Sequence, residues 1–94
     1  MSTTVPELLL FTREGCHLCD DARAIVQGLL EDRAARGAPI ASVAQRDITA
    51  EPELERRFFD RIPVIELNGR RLELATSTAA IRRFLADVLD GSLV

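Results

Sequence analysis

The sequence contains no lysine, and all twelve of its basic residues are arginines. Fifteen acidic residues outnumber them and give a net charge of −3 at pH 7. Proteins that bind nucleic acid carry a basic surface for the phosphate backbone. The charge balance therefore argues against nucleic acid as a partner.

Long apolar runs are also absent. The run at residues 8–11 is too short for a membrane span or a signal peptide, and no basic segment precedes it. We therefore expect a cytoplasmic protein that does not bind membranes. A length of 94 residues, 47% of them hydrophobic, predicts one domain over residues 1–94 with its own core.

Cysteine and histidine are scarce, and they occur together. The two cysteines are Cys16 and Cys19, and the only histidine, His17, lies between them. Permanent disulfides are uncommon in the cytoplasm, so a close pair indicates redox chemistry, metal binding or two inert side chains. A closed zinc site needs four ligands, which one copy of this chain cannot supply, so we expect no metal. A dimer with a metal or iron–sulfur site between its subunits remains an alternative.

The cysteine pair lies where an apolar run gives way to a helical pattern. A thiol at a helix N-terminus has a lowered pKa, because the positive end of the helix dipole favours the thiolate. We therefore predict that Cys16 attacks a substrate disulfide and that Cys19, one turn later, resolves the mixed disulfide. His17 is either an exposed residue of the first turn or, when protonated, a group that stabilises the Cys16 thiolate. Nearby carboxylates oppose that second effect.

Apolar periodicity and turn residues predict four strands and three helices in the order β-α-β-α-β-β-α. The strands are expected at residues 5–12, 40–48, 63–67 and 70–74. The helices are expected at 16–36, from a cap at Thr49 to about residue 60, and from a cap at Thr76 or Ser77 to Gly91.

Three local patterns fix the expected packing. Leu18 begins the apolar stripe of the first helix, whose other members are Ala22, Ile25, Val26, Leu29 and Leu30. The pair Asn68-Gly69 is a strong hairpin signal, after which Leu72 and Leu74 should face inward. A helix between the first two strands implies a parallel pair, and the hairpin implies an antiparallel one. We therefore predict a four-stranded mixed sheet flanked by three helices.

With this element order, two motifs resemble glutaredoxin-like proteins of the thioredoxin-fold superfamily. Residues 11–19 are similar to the aromatic-Thr-basic-x-x-Cys-x-x-Cys entry of small glutaredoxins, and Ile62-Pro63-Val64 occupies the place of the superfamily's cis-proline. The resemblance implies a thioredoxin-like fold and a thiol–disulfide oxidoreductase with Cys16 as nucleophile and Cys19 as resolving thiol. It further implies that Pro63 is cis, that the Ile62 backbone holds an extended substrate and that Arg13 contacts a glutathione carboxylate.

The segment before the last helix departs from glutathione-using members. Those proteins carry a Gly-Gly pair followed by acidic residues, whereas this chain has Leu74 and Ala75 followed by Thr76 and Ser77. The two hydroxyl residues are either helix caps or part of a site at which free N–H groups receive a substrate carboxylate.

We expect a monomer with no bound cofactor that reduces protein or low-molecular-weight disulfides. Its electron donor would be glutathione or a flavin-dependent thioredoxin reductase, and the missing glutathione motif favours the protein reductant. A rival hypothesis is a thioredoxin-fold module that binds a peptide near Pro63 without turning it over.

Overall fold

A computed structural model describes residues 5–91 and confirms the predicted order of elements. The strands are β1 (Glu7–Thr12), β2 (Ser42–Asp47), β3 (Val64–Leu67) and β4 (Arg70–Leu72). The helices are α1 (His17–Ala35), α2 (Pro52–Phe58) and α3 (Thr78–Leu89), and a 3₁₀ turn at Ile48–Ala50 precedes α2. Within the described residues, no helix has both the length and the apolar composition that a membrane crossing requires.

The four strands form one mixed sheet in the order β2-β1-β3-β4. β1 is parallel to β2 and antiparallel to β3, and β3 is antiparallel to β4. Asn68 and Gly69 join the last two strands with positive φ angles of 51° and 79°, as a two-residue hairpin requires. The thioredoxin-like fold class predicted from the sequence is confirmed.

Alternation along β1 divides the core into two layers. Leu8 and Leu10 face a large cluster built mainly with α1 and α3. Leu9 and Phe11 face the opposite layer, where Phe58 of α2 packs against Phe11 with ring centroids 5.1 Å apart. The near-continuous apolar run of β1 therefore has the physical role expected of a strand that is buried on both faces.

Two predictions about α1 and α2 were wrong. Thr49 does not cap α2, because its N–H and hydroxyl both donate to Asp47, which caps the 3₁₀ turn instead. Leu18 is not part of the buried stripe and is 52% exposed. Successive helical residues differ by about 100°, and Cys19 takes the sheet-facing direction in that turn.

Several strand boundaries are narrower than predicted. β1 begins at Glu7 because Pro6 has no N–H to add to the ladder, although its carbonyl still accepts from Ser42. β2 was predicted at residues 40–48 but comprises only Ser42–Asp47, the six residues that pair with β1. β4 ends at Leu72, and Leu74 is 56% exposed rather than inward, since its positive φ of 51° turns the chain out of the sheet.

The far ends of α1 and α3 are joined by a buried arginine. Arg33 is only 6% exposed, and its Nε donates to the Pro39 carbonyl at 2.6 Å. Its Nη2 donates to the Asp90 carboxylate, at the C-terminal cap of α3. The Arg33 carbonyl accepts from Ala38, so this one residue ties together the loop after α1 and the end of α3.

Replacing Arg33 with alanine should lower the free energy of unfolding by about 1.5–3 kcal/mol, because the charged hydrogen bonds of a buried group are lost. The control is Arg36→Ala, which breaks an exposed pair with Asp32 on the same helix end and should cost about 0.5 kcal/mol or less. Urea unfolding of both variants measures the difference. Equal destabilisation would show that the Arg33 contacts have no special weight.

Candidate functional site

Cys16 caps the N-terminus of α1. Its backbone is extended (φ −94°, ψ 104°), and its Sγ accepts a hydrogen bond from the Cys19 N–H at 3.1 Å. The Cys16 N–H donates to the Arg13 carbonyl at 3.2 Å, which closes the loop that leads from β1 into the helix. The sulfur therefore occupies the place of a capping oxygen, where the helix dipole and an N–H both favour negative charge.

Cys16 and Cys19 are joined by a disulfide, with their Cα atoms 5.2 Å apart. The two cysteines differ in exposure: Cys19 is only 2% exposed, whereas Cys16 is half-buried. An incoming thiol or disulfide can thus approach Cys16 more easily than Cys19. This asymmetry fits the predicted division into attacking and resolving thiols.

The two residues between the cysteines project outward. His17 is the first residue of α1 and is exposed, and Leu18 beside it is exposed as well. Within residues 5–91, no three His, Cys, Asp or Glu side chains are grouped so that they could hold a metal ion. The proposed influence of His17 on the Cys16 thiol stays a prediction.

Strand register places Pro63 at the same edge of the sheet as the cysteine loop. Phe11 of β1 lies opposite Val64 of β3, so the chain leaves β1 where the other strand begins. Pro63 is buried, and the Ile62–Pro63 peptide bond is cis. The Ile62 N–H donates to the Phe58 carbonyl at 3.2 Å, so a substrate that docks on Ile62 would use its carbonyl.

A short backbone ladder joins this proline loop (residues 60–63) to the segment before α3. The Leu74 N–H donates to the Arg61 carbonyl at 2.9 Å, and the Ala75 N–H donates to the Pro63 carbonyl at 2.8 Å. In an extended strand, successive N–H groups point to opposite sides. The N–H groups of Leu74 and Ala75 can both face the proline loop only because the backbone departs from that conformation. The left-handed φ of Leu74, 51°, supplies that departure.

Thr76 and Ser77 follow this ladder directly. Ser77 caps α3, since its Oγ accepts from the Ala80 N–H at 3.1 Å. Thr76 is exposed, and its N–H donates to the Leu74 carbonyl at 2.8 Å. Backbone hydrogen bonds thus hold Pro63 near the start of α3. Of the two predicted cap residues, Ser77 is the one that caps the helix.

Arg13 lies apart from the proline loop, in an open polar crevice of about 480 Å³ at the carboxyl ends of β1 and β2. Helices α1 and α2 pack on opposite faces of the sheet, so the connections that leave the paired ends of β1 and β2 diverge and leave a gap. Three carboxylates line the crevice with Arg13, from Glu14, Asp20 and Asp47. The Thr49 hydroxyl and N–H hold the pKa of Asp47 below its usual range, so this carboxylate keeps its charge to a lower pH than a free aspartate.

Glu73 is a site neighbour that the sequence analysis did not single out. Its carboxylate accepts from Arg61 Nη1 at 2.8 Å and from Arg71 Nη1 at 3.5 Å. The hydrogen bond from Arg61 holds the pKa of Glu73 below its usual range, and Glu73 in turn raises the pKa of Arg61. No pattern in the sequence indicates the Arg61 contact, because it joins two different loops.

Comparison with known proteins identifies the family. The model of the Glutaredoxin-like domain (DUF836) matches residues 7–88. The chain belongs to this glutaredoxin-like family. The match covers every strand and nearly all of α3, and so includes both cysteines and Pro63. No curated protein matches the chain.

Solved structures with this fold include members from distant organisms. Protein XcR50 from X. campestris is 26% identical, with a TM-score of 0.68 over 92% of this chain and 99% of the other. Protein Ne2328 from Nitrosomonas europaea is 22% identical, with a TM-score of 0.67 over 89% and 95%. A malarial protein at 17% identity has a TM-score of 0.62 over 92% and 99%. Because the last two proteins are so low in identity to this glutaredoxin-like chain, they support only its fold.

The left-handed conformation at Leu74 gives a test of the local backbone. A residue with a Cβ is less stable than glycine in this region by about 1–2 kcal/mol, so Leu74→Gly should be about 1 kcal/mol more stable than Leu74→Ala. Urea unfolding of the two variants measures the difference. Ala24 is exposed within α1 and is the control, because there glycine should be less stable than alanine by about 1 kcal/mol. A Leu74→Ala variant as stable as Leu74→Gly would contradict the backbone geometry.

Proposed function

We propose that the protein is a thiol–disulfide oxidoreductase that reduces disulfides through Cys16 and Cys19. The observation that carries the proposal is the accessible sulfur of Cys16 at the α1 cap, within disulfide reach of the sheltered Cys19. Membership in the glutaredoxin-like family supports a redox role for such a pair.

In the proposed reaction the reduced Cys16 thiolate attacks one sulfur of a substrate disulfide. A mixed disulfide forms, and the other substrate sulfur leaves as a thiolate that takes up a proton. Cys19 then attacks the Cys16 sulfur and releases the second substrate thiol. Two electrons pass to the substrate, the Cys16–Cys19 disulfide remains, and an external reductant restores the dithiol.

Docking would use the edge shared by the cysteine and proline loops. The carbonyl of Ile62 would accept a hydrogen bond from an extended substrate lying beside Pro63, in the manner of strand addition at one residue. The start of α3, near Thr76 and Ser77, would receive a substrate carboxylate at its free N–H groups. Arg13 is the other candidate for a carboxylate.

The electron donor is proposed to be a protein such as a flavin-dependent thioredoxin reductase, with glutathione as the alternative. The three carboxylates beside Arg13 disfavour a small anionic ligand in that crevice, because like charges repel at short range. The first turn of α3 also contains no acidic residue to pair with an ammonium group. Both features weaken the case for glutathione and favour a protein disulfide or reductase.

The dithiol mechanism predicts a covalent trap. A Cys19→Ser variant lacks the resolving thiol and should accumulate a mixed disulfide between Cys16 and a disulfide-containing peptide. Intact-protein mass spectrometry would detect an adduct of the peptide's mass. Cys16→Ser is the matched control and should form no adduct. Multiple turnover by Cys19→Ser at the wild-type rate would rule out the dithiol mechanism.

A redox titration separates this proposal from its rivals. In a series of glutathione buffers, the purified protein should lose two protons on oxidation, with a midpoint of about −270 to −200 mV, the range of thioredoxins and glutaredoxins. Lasting glutathione adducts on Cys16 would instead identify glutathione as a substrate. No change in mass across the series would favour a peptide-binding module without turnover. Metal content and a dimeric mass would identify the alternative with a metal between subunits.

A further inference from the structure

The proline loop is held from one side by β4 and the segment that follows it. Two backbone bonds form the ladder, from Leu74 to the Arg61 carbonyl and from Ala75 to the Pro63 carbonyl. Within the loop itself, the N–H groups of Arg61 and Ile62 both donate to the Phe58 carbonyl, at 2.8 and 3.2 Å. The loop is therefore fixed at its start by α2 and along its length by residues 74 and 75.

Glu73 adds a side-chain tie at the beginning of this ladder. Its carboxylate joins Arg61 of the loop to Arg71 of β4. Arg71 is itself held, because its Nε donates to Glu66 of β3 at 3.1 Å and its guanidinium lies 5.4 Å from the centre of the Phe58 ring. The Arg61 guanidinium is thereby connected, through one carboxylate, to side chains anchored on the sheet.

The ion pair and the ladder act on the same residues. The Arg61 carbonyl accepts a hydrogen bond from the Leu74 N–H, and the Arg61 guanidinium donates one to the Glu73 carboxylate. Leu74 has a left-handed φ, which a residue with a Cβ adopts less readily than a helical or extended conformation. A contact that holds residue 73 next to Arg61 helps to maintain that conformation. The mutual pKa shifts of Glu73 and Arg61 agree with a formed pair.

We propose that Glu73 is a positioning residue for the reaction, one that holds the proline loop in its docking conformation through Arg61. This inference rests on the proposed oxidoreductase function and extends it, since Glu73 contacts neither cysteine. Its loss should weaken docking of an extended substrate without changing the reactivity of the Cys16 sulfur.

The test uses the full chain and a short synthetic peptide that contains one disulfide. Single-turnover reduction by the pre-reduced protein gives a half-saturation concentration and a maximal rate. Glu73→Gln should raise the half-saturation concentration by about 3-fold to 5-fold, the upper part of the range for one exposed ion pair, because Glu73 pairs with both Arg61 and Arg71. The rate of Cys16 alkylation by iodoacetamide, which needs no docking, should remain unchanged.

Two further variants sharpen the result. Arg61→Gln breaks the same pair, so the double variant Arg61→Gln/Glu73→Gln should dock no worse than either single one. Asp32→Asn removes an exposed ion pair with Arg36 at the other end of α1 and should leave every parameter unchanged. An unchanged half-saturation concentration in Glu73→Gln, or an effect equal to that of Asp32→Asn, would overturn the proposal.

Amide hydrogen exchange provides a readout that does not depend on activity. Glu73→Gln should speed exchange at the N–H groups of Leu74 and Ala75 by about 3-fold to 5-fold. Unchanged exchange there would overturn the role of Glu73 even if the substrate assay could not be scored. A wild-type protein that reduces no peptide, while Glu73→Gln still loosens this ladder, would instead refute the proposed function alone.

Discussion

The site depends on the central position of β1. This strand is hydrogen-bonded on both edges, to β2 and to β3, and it is covered by apolar clusters on both faces. Its carboxyl end is consequently fixed in every direction, and the cysteine loop begins there. The antiparallel pairing with β3 brings the proline loop to the same end of the sheet. One strand thus determines where Cys16 and the proline loop meet, the two parts of the proposed active site.

The sequence predicted those parts of the structure that depend on neighbouring residues. The apolar run of β1 and the Asn68-Gly69 turn each act through local conformation, and the element order followed from such local patterns. The placement of Cys16 at a helix N-terminus could be predicted for the same reason. The antiparallel pairing of β1 with β3 was not among these predictions, because it joins residues that are far apart in the chain.

Parts of the structure that depend on distant contacts could not be predicted. The position of Arg33 in the last turn of a helix gives no sign of burial, yet its side chain is buried and bonds to Asp90, 57 residues later in the chain. Leu74 matched the apolar alternation of a strand, yet its N–H bonds to Arg61 and its backbone is left-handed. In both cases the local pattern was compatible with two conformations, and a long-range hydrogen bond selected the one that occurs.

In the glutathione-using proteins that the sequence resembles, glycine meets two structural requirements at once. The segment from Glu73 to Ser77 meets only the first of them. Glycine adopts a positive φ freely and leaves the surface open to a small ligand. Here the positive φ is present at Leu74 without glycine, so the ladder to the proline loop and the Glu73–Arg61 pair must stabilise it. The side chain at this position is an exposed leucine, and hydroxyl rather than acidic side chains precede α3. We therefore propose that the backbone for docking an extended chain is retained, with an exposed leucine beside it in place of glycine.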